Sequence, residues 1–281
     1  MFIPAEGGSP PAALDRPLVV CVDDAALDDG VTDAVLALAR AGRVSATSAM
    51  VESPHWPRHA RTLIECSTID LGLHLNLTHR FDGRPAPRLS TLLLRAIARR
   101  LDPKALRTTI DQQLDAFVRH AGRLPDHVDG HQHVQQLPQV REALFDCIET
   151  WWRGAQRPWL RCALAPPGAS AKARVIEALG ARRFARLAEQ ARCPTNPNLI
   201  GVYGFEADAA GYRARLQRWL ADAPDGALLM THPALRAGAA DPIAAARVAE
   251  HGVLASDRFA ALLHHAGRHL VRGSELYRIT Q

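Results

Sequence analysis

The sequence predicts an α/β fold, a parallel sheet closed into one barrel-like domain, with an open doubly wound sheet as the alternative. Three observations predict it. Residues 18–22 (Leu-Val-Val-Cys-Val) are a continuous apolar run, the kind a parallel sheet buries on both faces. Strand-like and helix-like segments then alternate, the rhythm of parallel strands joined by helical crossovers. No internal repeat or low-complexity linker divides the 281 residues, and that length can bury a large core.

After the first strand, Asp28-Asp29-Gly30 leads into a helix over 31–41, with Val31, Val35, Leu36 and Leu38 on its apolar side and Gly42 as its stop. Residues 44–50, rich in Val, Thr and small side chains, predict a second strand, 55–64 a helix, and 69–77 a third strand. The Pro/Gly-rich stretch 80–88 reads as a surface loop. Helical segments follow through 98 and again over 103–121, where Leu106, Ile110, Leu114 and Phe117 recur at helical spacing. A short strand at 126–129, a helix at 140–151 and a strand candidate at 159–165 come next. Residues 171–191 predict one long amphipathic helix with Ser170 as its N-cap. The stretch 193–205 has no strong periodicity. A helix at 208–221, a strand at 226–230, helices at 243–249 and 257–266, and a final strand within 275–279 complete the chain. Residues 1–17 form a flexible N-terminal extension and 18–281 a single domain.

Composition excludes several classes of function. The net charge of +5 comes from arginines scattered along helical segments, such as Arg95, Arg99, Arg182 and Arg186. These read as solvated helix faces, and no RNA-binding or helix-turn-helix signature accompanies them, so no nucleic acid is expected. The five cysteines are odd in number and form no Cys-x-x-Cys pair, which indicates reduced thiols. The N-terminus lacks the basic start and apolar centre of a secretory signal, and no apolar stretch reaches a membrane span. A cytoplasmic protein is expected; a homo-oligomer is left open. No P-loop, Gly-x-Ser-x-Gly elbow or dinucleotide fingerprint is present.

Chemistry gathers where predicted strands hand over to loops. His127-Val128-Asp129-Gly130-His131-Gln132-His133 packs three imidazoles and a carboxylate into one segment. Asp23-Asp24 ends the first apolar run, and His74 and Asn76 occupy the polar side of the third strand. Imidazoles and carboxylates are the ligands a divalent transition metal takes. Adjacent residues at a strand end point to opposite sides, so one carboxylate of the Asp23-Asp24 pair can bind a metal while the other takes a proton. Either His131 or His133 can ligate if the segment is extended, with the other touching substrate, and Asp129 can accept a ring N–H. Thr231-His232-Pro233 brings a further imidazole to the same rim, suited to protonating a leaving amine. Arg161 would bind a substrate oxygen or pair with a nearby carboxylate.

In order along the chain, these landmarks resemble the YdjC-like carbohydrate deacetylase family, which includes chitooligosaccharide and hopanoid-biosynthesis-associated deacetylases. The resemblance rests on Asp23-Asp24, on the run from Gly42 to Val51, on Gly72-Leu73-His74-Leu75-Asn76-Leu77-Thr78, on Asp129-Gly130-His131-Gln132-His133 before Leu137-Pro138, and on Met230-Thr231-His232-Pro233. It spans almost the whole chain. It implies a single distorted TIM-like (β/α) barrel of the polysaccharide-deacetylase type. It also implies a hydrolase that removes N-acetyl groups from an amino sugar, oligosaccharide or glycolipid with one divalent metal ion, Mg²⁺ or Zn²⁺. By position, Asp24, His74 and His131 would be the metal ligands, Asp23 the general base and His232 the acid. Asn76, Asp129, His133 and Arg161 would touch substrate or support the ligands. Hydrolysis of another small amide or ester, and a catalytically silent sugar- or metal-binding barrel, are the alternatives. The family reads Asp-Asp-Phe-Gly where this chain has Asp23-Asp24-Ala25-Ala26, which bears on substrate fit. The segment after Thr78 is short for the family, implying a reduced lid.

Overall fold

The first strand, β1 (Arg16–Ala25), is the centre of the fold. Leu18 to Val22 are wholly buried, as an apolar run without alternation requires. The structure is a computed structural model that describes residues 15–206 and 208–278. The expected N-terminal extension therefore lies mostly outside the described residues, while Arg16 and Pro17, assigned to it from sequence, open β1.

Seven parallel strands follow one another around a barrel: β1, β2 (Ala46–Ala49), β3 (Asp70–Leu75), β4 (His127–Gly130), β5 (Trp159–Leu160), β6 (Leu199–Ile200) and β7 (Leu228–Thr231), with β7 returning to pair with β1. An eighth, β8 (Arg268–Leu270), pairs with the start of β1. The wall is complete except between β5 and β6. There the Asn196 side chain substitutes for a strand. It accepts from Cys162 N at 2.8 Å and donates to Cys162 O at 2.9 Å, while Leu199 N reaches Leu164 O at 2.8 Å. This seam distorts the barrel, and it shortens the strand expected over 159–165 to two residues.

Helices cover the outside. They include α1 (Asp29–Arg40), α2 (Trp56–Glu65), α3 (Leu89–Ile97), α4 (Pro103–Ala121) and α5 (Val140–Trp151). Asp28 caps α1 by accepting from Val31 N at 2.9 Å, and Gly42 adopts φ 64° just beyond its end. The single helix predicted over 171–191 is two, α6 (Ala171–Ala178) and α7 (Ala181–Gln190). Gly180 breaks it at φ 137°, where a Cβ would lie 2.4 Å from Gln136 O. Ser170 does cap α6. Then come α8 (Ala209–Asp222), α9 (Ala244–Leu254) and α10 (Asp257–His265).

The strand predicted within 275–279 is a correction. Gly273–Leu276 is a helical turn, α11, held because Ser274 N and Oγ both donate to the Asp70 carboxylate at 2.7 and 2.6 Å. Ile279 lies outside the described residues. β6 had no sequence signal, since two residues carry no period. All five cysteines are free, and no helix among the described residues is long and apolar enough to cross a membrane.

Candidate functional site

The C-terminal ends of β1, β3, β4 and β7 bring the predicted site residues together. Alternation along β1 should send Asp23 and Asp24 to opposite faces. A register shift between Val22 and Ala25 prevents this, and Asp24 takes φ 64°, a left-handed conformation that Asp tolerates better than most residues. Both carboxylates consequently lie at the site, 2% and 1% exposed. Arg161 clamps the Asp23 carboxylate with both terminal nitrogens, Nη1 to Oδ2 at 2.6 Å and Nη2 to Oδ1.

Strand register sets the next pair. His74 on β3 stands opposite Asp129 on β4, and His74 Nδ1 lies 2.6 Å from Asp129 Oδ1, with Ser48 Oγ at 3.0 Å. Asp129, read from sequence as able to accept a ring N–H, stands against the His74 ring. With Nδ1 so engaged, His74 Nε2 points at Asp24 Oδ1, 3.3 Å away. His131 Nδ1 lies 3.0 Å from the same oxygen. Asp24, His74 and His131 form a group whose ligand atoms all fall within 4.8 Å of one another. Ligand bonds of 2.0–2.2 Å set tetrahedral donor–donor edges of about 3.4 Å. The Asp24 oxygen, 3.3 Å from one imidazole nitrogen and 3.0 Å from the other, with the two nitrogens no more than 4.8 Å apart, makes a donor set that fits a single divalent ion.

The segment after Gly130 is not extended. Residues 131–136 form a 3₁₀ turn in which Gln132 and His133 take φ 56° and 60°. His131 and His133 consequently do not project side by side as expected. His133 is buried, and its Nδ1 has no hydrogen-bond partner among the described residues. Burial, reinforced by the Arg161 charge, pulls its pKa down to about 3, so the ring is neutral. His127 stacks on Trp159 at 4.0 Å beneath Gly72, where any Cβ would strike the imidazole at 2.3 Å. It is a core residue.

β1–β7 pairing places His232 beside Asp23, with Nε2 3.8 Å from Oδ2. Burial lowers the His232 pKa to about 4, against the opposing pull of Asp23 and Asp24. Burial would raise the Asp24 pKa, but Arg247 and His131 outweigh it and hold the carboxyl well below its usual range. Burial would lower that of His74, yet Asp129 and Asp24 raise it to about 10.

Arg161, fully buried, also reaches Asp129 Oδ2 at 2.6 Å, so its guanidinium is spent on carboxylates rather than on a substrate oxygen. Asn76 is likewise committed. Its Oδ1 accepts from Thr78 N and His79 N, and its Nδ2 donates to Glu52 and His79 O. It shapes the loop that walls a cleft of about 560 Å³, lined in part by Glu52, His79, Phe81 and Asp82.

Two participants escaped the sequence reading, both on α9. Arg247 Nη2 donates to Asp24 Oδ2 at 2.7 Å and its Nε to Asp241 at 2.6 Å. Glu250 accepts from His232 N at 2.5 Å and from Tyr203 Oη at 2.6 Å. The available signal was two charges three residues apart on the buried stripe that Leu254 continues.

Comparison with known proteins agrees with this picture. Residues 17–265 match the family described as YdjC-like protein. A chitooligosaccharide deacetylase of Serratia marcescens is 27% identical over 232 residues, covering 79% of this chain and 83% of that protein. A solved structure from Enterococcus faecalis V583, provisionally described as a cellobiose-phosphate cleavage protein, superposes with TM-score 0.71 at 17% identity, covering 94% and 99% of the two chains. A family 4 acetyl xylan esterase from Clostridium thermocellum, in complex with a cobalt ion, gives TM-score 0.52 at 13% identity over 93% and 90%. At these identities the two structures speak for the barrel fold.

Proposed function

Since the chain belongs to the YdjC-like protein family, we propose that it is a metal-dependent hydrolase that removes the N-acetyl group of an amino sugar or sugar conjugate. The observation that carries the reading is the convergence of His74 Nε2 and His131 Nδ1 on Asp24 Oδ1, at 3.3 and 3.0 Å, with Asp23 and His232 alongside. The deacetylase name of the Serratia relative supports the substrate class.

Asp24, His74 and His131 would hold one divalent ion. When bound, it supplies Lewis acidity, polarising the acetamide carbonyl and making water a competent nucleophile near neutral pH. Asp23 accepts the proton of the attacking water. Arg161 fixes that carboxylate through both oxygens, so it faces the reacting atoms in one orientation. The same guanidinium forms an ion pair with Asp129, which holds His74 by its Nδ1, so base and ligand share one buried scaffold. His232 is neutral at rest, and its nearness to Asp23 lets it take up that proton and deliver it to the departing amine. The cleft beside Asn76 and His79 receives the rest of the sugar, and its volume lies in the ordinary range for small-molecule sites.

The test is acetate release from a panel of N-acetylated sugars and oligosaccharides, after chelation and with Mg²⁺, Zn²⁺ or Co²⁺ restored. Release that requires added metal supports the reading. Metal bound without release from any substrate would favour a silent binding barrel.

A further inference from the structure

A second group of metal-ligating side chains lies outside the site just described and shares no residue with it. Asp29 is the first residue of α1; His55 precedes α2 and His59 lies within its first turn. His55 and His59 are four residues apart, the spacing that places two side chains on one helix face. Asp29 Oδ1 lies 3.0 Å from His55 Nδ1 and 2.8 Å from His59 Nε2, and the three ligand atoms fall within 4.8 Å of one another. The two rings run nearly parallel, 16° apart, with their centroids 6.4 Å from each other. Asp28, not Asp29, caps α1, which leaves the Asp29 carboxylate for the histidines.

We propose that Asp29, His55 and His59 bind a divalent transition-metal ion. Two imidazoles and one carboxylate suit a divalent transition metal such as Zn²⁺, Ni²⁺ or Cu²⁺. The separations of 2.8–3.0 Å approach the edges of such a coordination shell. Arg58 also reaches Asp29 Oδ1, so a cation already sits against this oxygen. Its side chain is 61% exposed and swings into water at little cost, since exposed ion pairs hold weakly. The bound ion fastens the start of α1 to the start of α2. These helices follow the two strand exits that carry Asp24 and Glu52, so it would steady two walls of the candidate site.

Zn²⁺ titration of the full chain, by calorimetry and by competition with a chromophoric chelator, tests this. Wild type is expected to bind two equivalents, and His59→Ala and Asp24→Asn one each. The remaining equivalent in Asp24→Asn should weaken at least about 100-fold when His55→Gln is added, the upper end of what loss of an outer partner costs. Arg58→Ala, which removes the competing cation, should tighten the second equivalent several-fold. Wild-type stoichiometry and affinity retained in both His59→Ala and His55→Gln would overturn the proposal. So would a single wild-type equivalent abolished by Asp24→Asn alone, which would make the cluster an ion pair. A single equivalent lost in His59→Ala but kept in Asp24→Asn would sustain this site and instead sink the metal-centre reading under Proposed function.

Discussion

Asp23→Asn separates base from ligand. The substitution keeps the side chain's shape but removes its charge and basicity. Loss of a positioned general base lowers turnover by about 10²–10⁴-fold. Among the described residues Asp23 forms no hydrogen bond or ion pair with Asp24, His74 or His131; its partners are Arg161 and the nearby His232. Metal affinity should therefore move by less than about tenfold, well below the roughly 10–100-fold expected for an outer partner of a ligand. Stability falls because Arg161 donates to both Asp23 oxygens, and the amide nitrogen of Asn cannot accept, so one charge-assisted bond of about 1.5–3 kcal/mol is lost. Arg161 still has Asp129 Oδ2 at 2.6 Å, so no charge is left unpaired. A net loss of about 1.5–3 kcal/mol, at roughly 2–4 °C per kcal/mol for a large domain, lowers Tm by about 3–12 °C. The assays are acetate release, calorimetric metal titration and a thermal melt on one preparation. Collapse of metal occupancy with Tm in that range would refute the reasoning, because Asp23 would then be a ligand.

Four further outcomes follow from the same geometry. Arg247→Met removes the partner that orients Asp24 through Oδ2, and metal affinity should fall about 10–100-fold by calorimetry; unchanged affinity would deny Arg247 that role. Asn196→Ala leaves the buried N–H and C=O of Cys162 unpaired, at about 1–3 kcal/mol each, so the urea midpoint should drop by an amount worth about 2–6 kcal/mol. A loss below about 1 kcal/mol would mean the seam does not depend on that amide. Glu250, buried, has its pKa raised from 4.5 to about 7. Between those values the folded state binds more protons than the unfolded state, so the stability this group contributes is lost as pH rises through that window. Wild type minus Glu250→Gln stability should accordingly be greater at pH 5 than at pH 8, and parallel curves would exclude this titration. Ala26 holds φ 63°, a conformation costing roughly 1–2 kcal/mol, so Ala26→Gly should stabilise by up to about 1 kcal/mol after the glycine's own entropy cost. A destabilised variant in denaturant melts would show that the backbone there is unstrained.

The fold and the landmarks of the site were legible in the sequence because their signals are local. An apolar run such as 18–22 announces a buried parallel strand, and Asp24, His74, His131 and His232 each stand where a run gives way to a loop. Helices such as Pro103–Ala121 and Val140–Trp151 have the bounds their periodicity predicted. What the tertiary structure alone decided depends on register and on contacts between distant segments. The pairing of β3 with β4 gave Asp129 to His74 rather than to a neighbour in its own cluster. The bulge in β1 turned two adjacent carboxylates into one site, and left-handed residues after Gly130 separated His131 from His133. Arg247 and Glu250 meet Asp24 and His232 across 223 and 18 residues of chain, and Asn196 closes the wall with a side chain. A period in the sequence records which face of an element is buried, whereas the partner that face meets is set by how the strands align around the barrel.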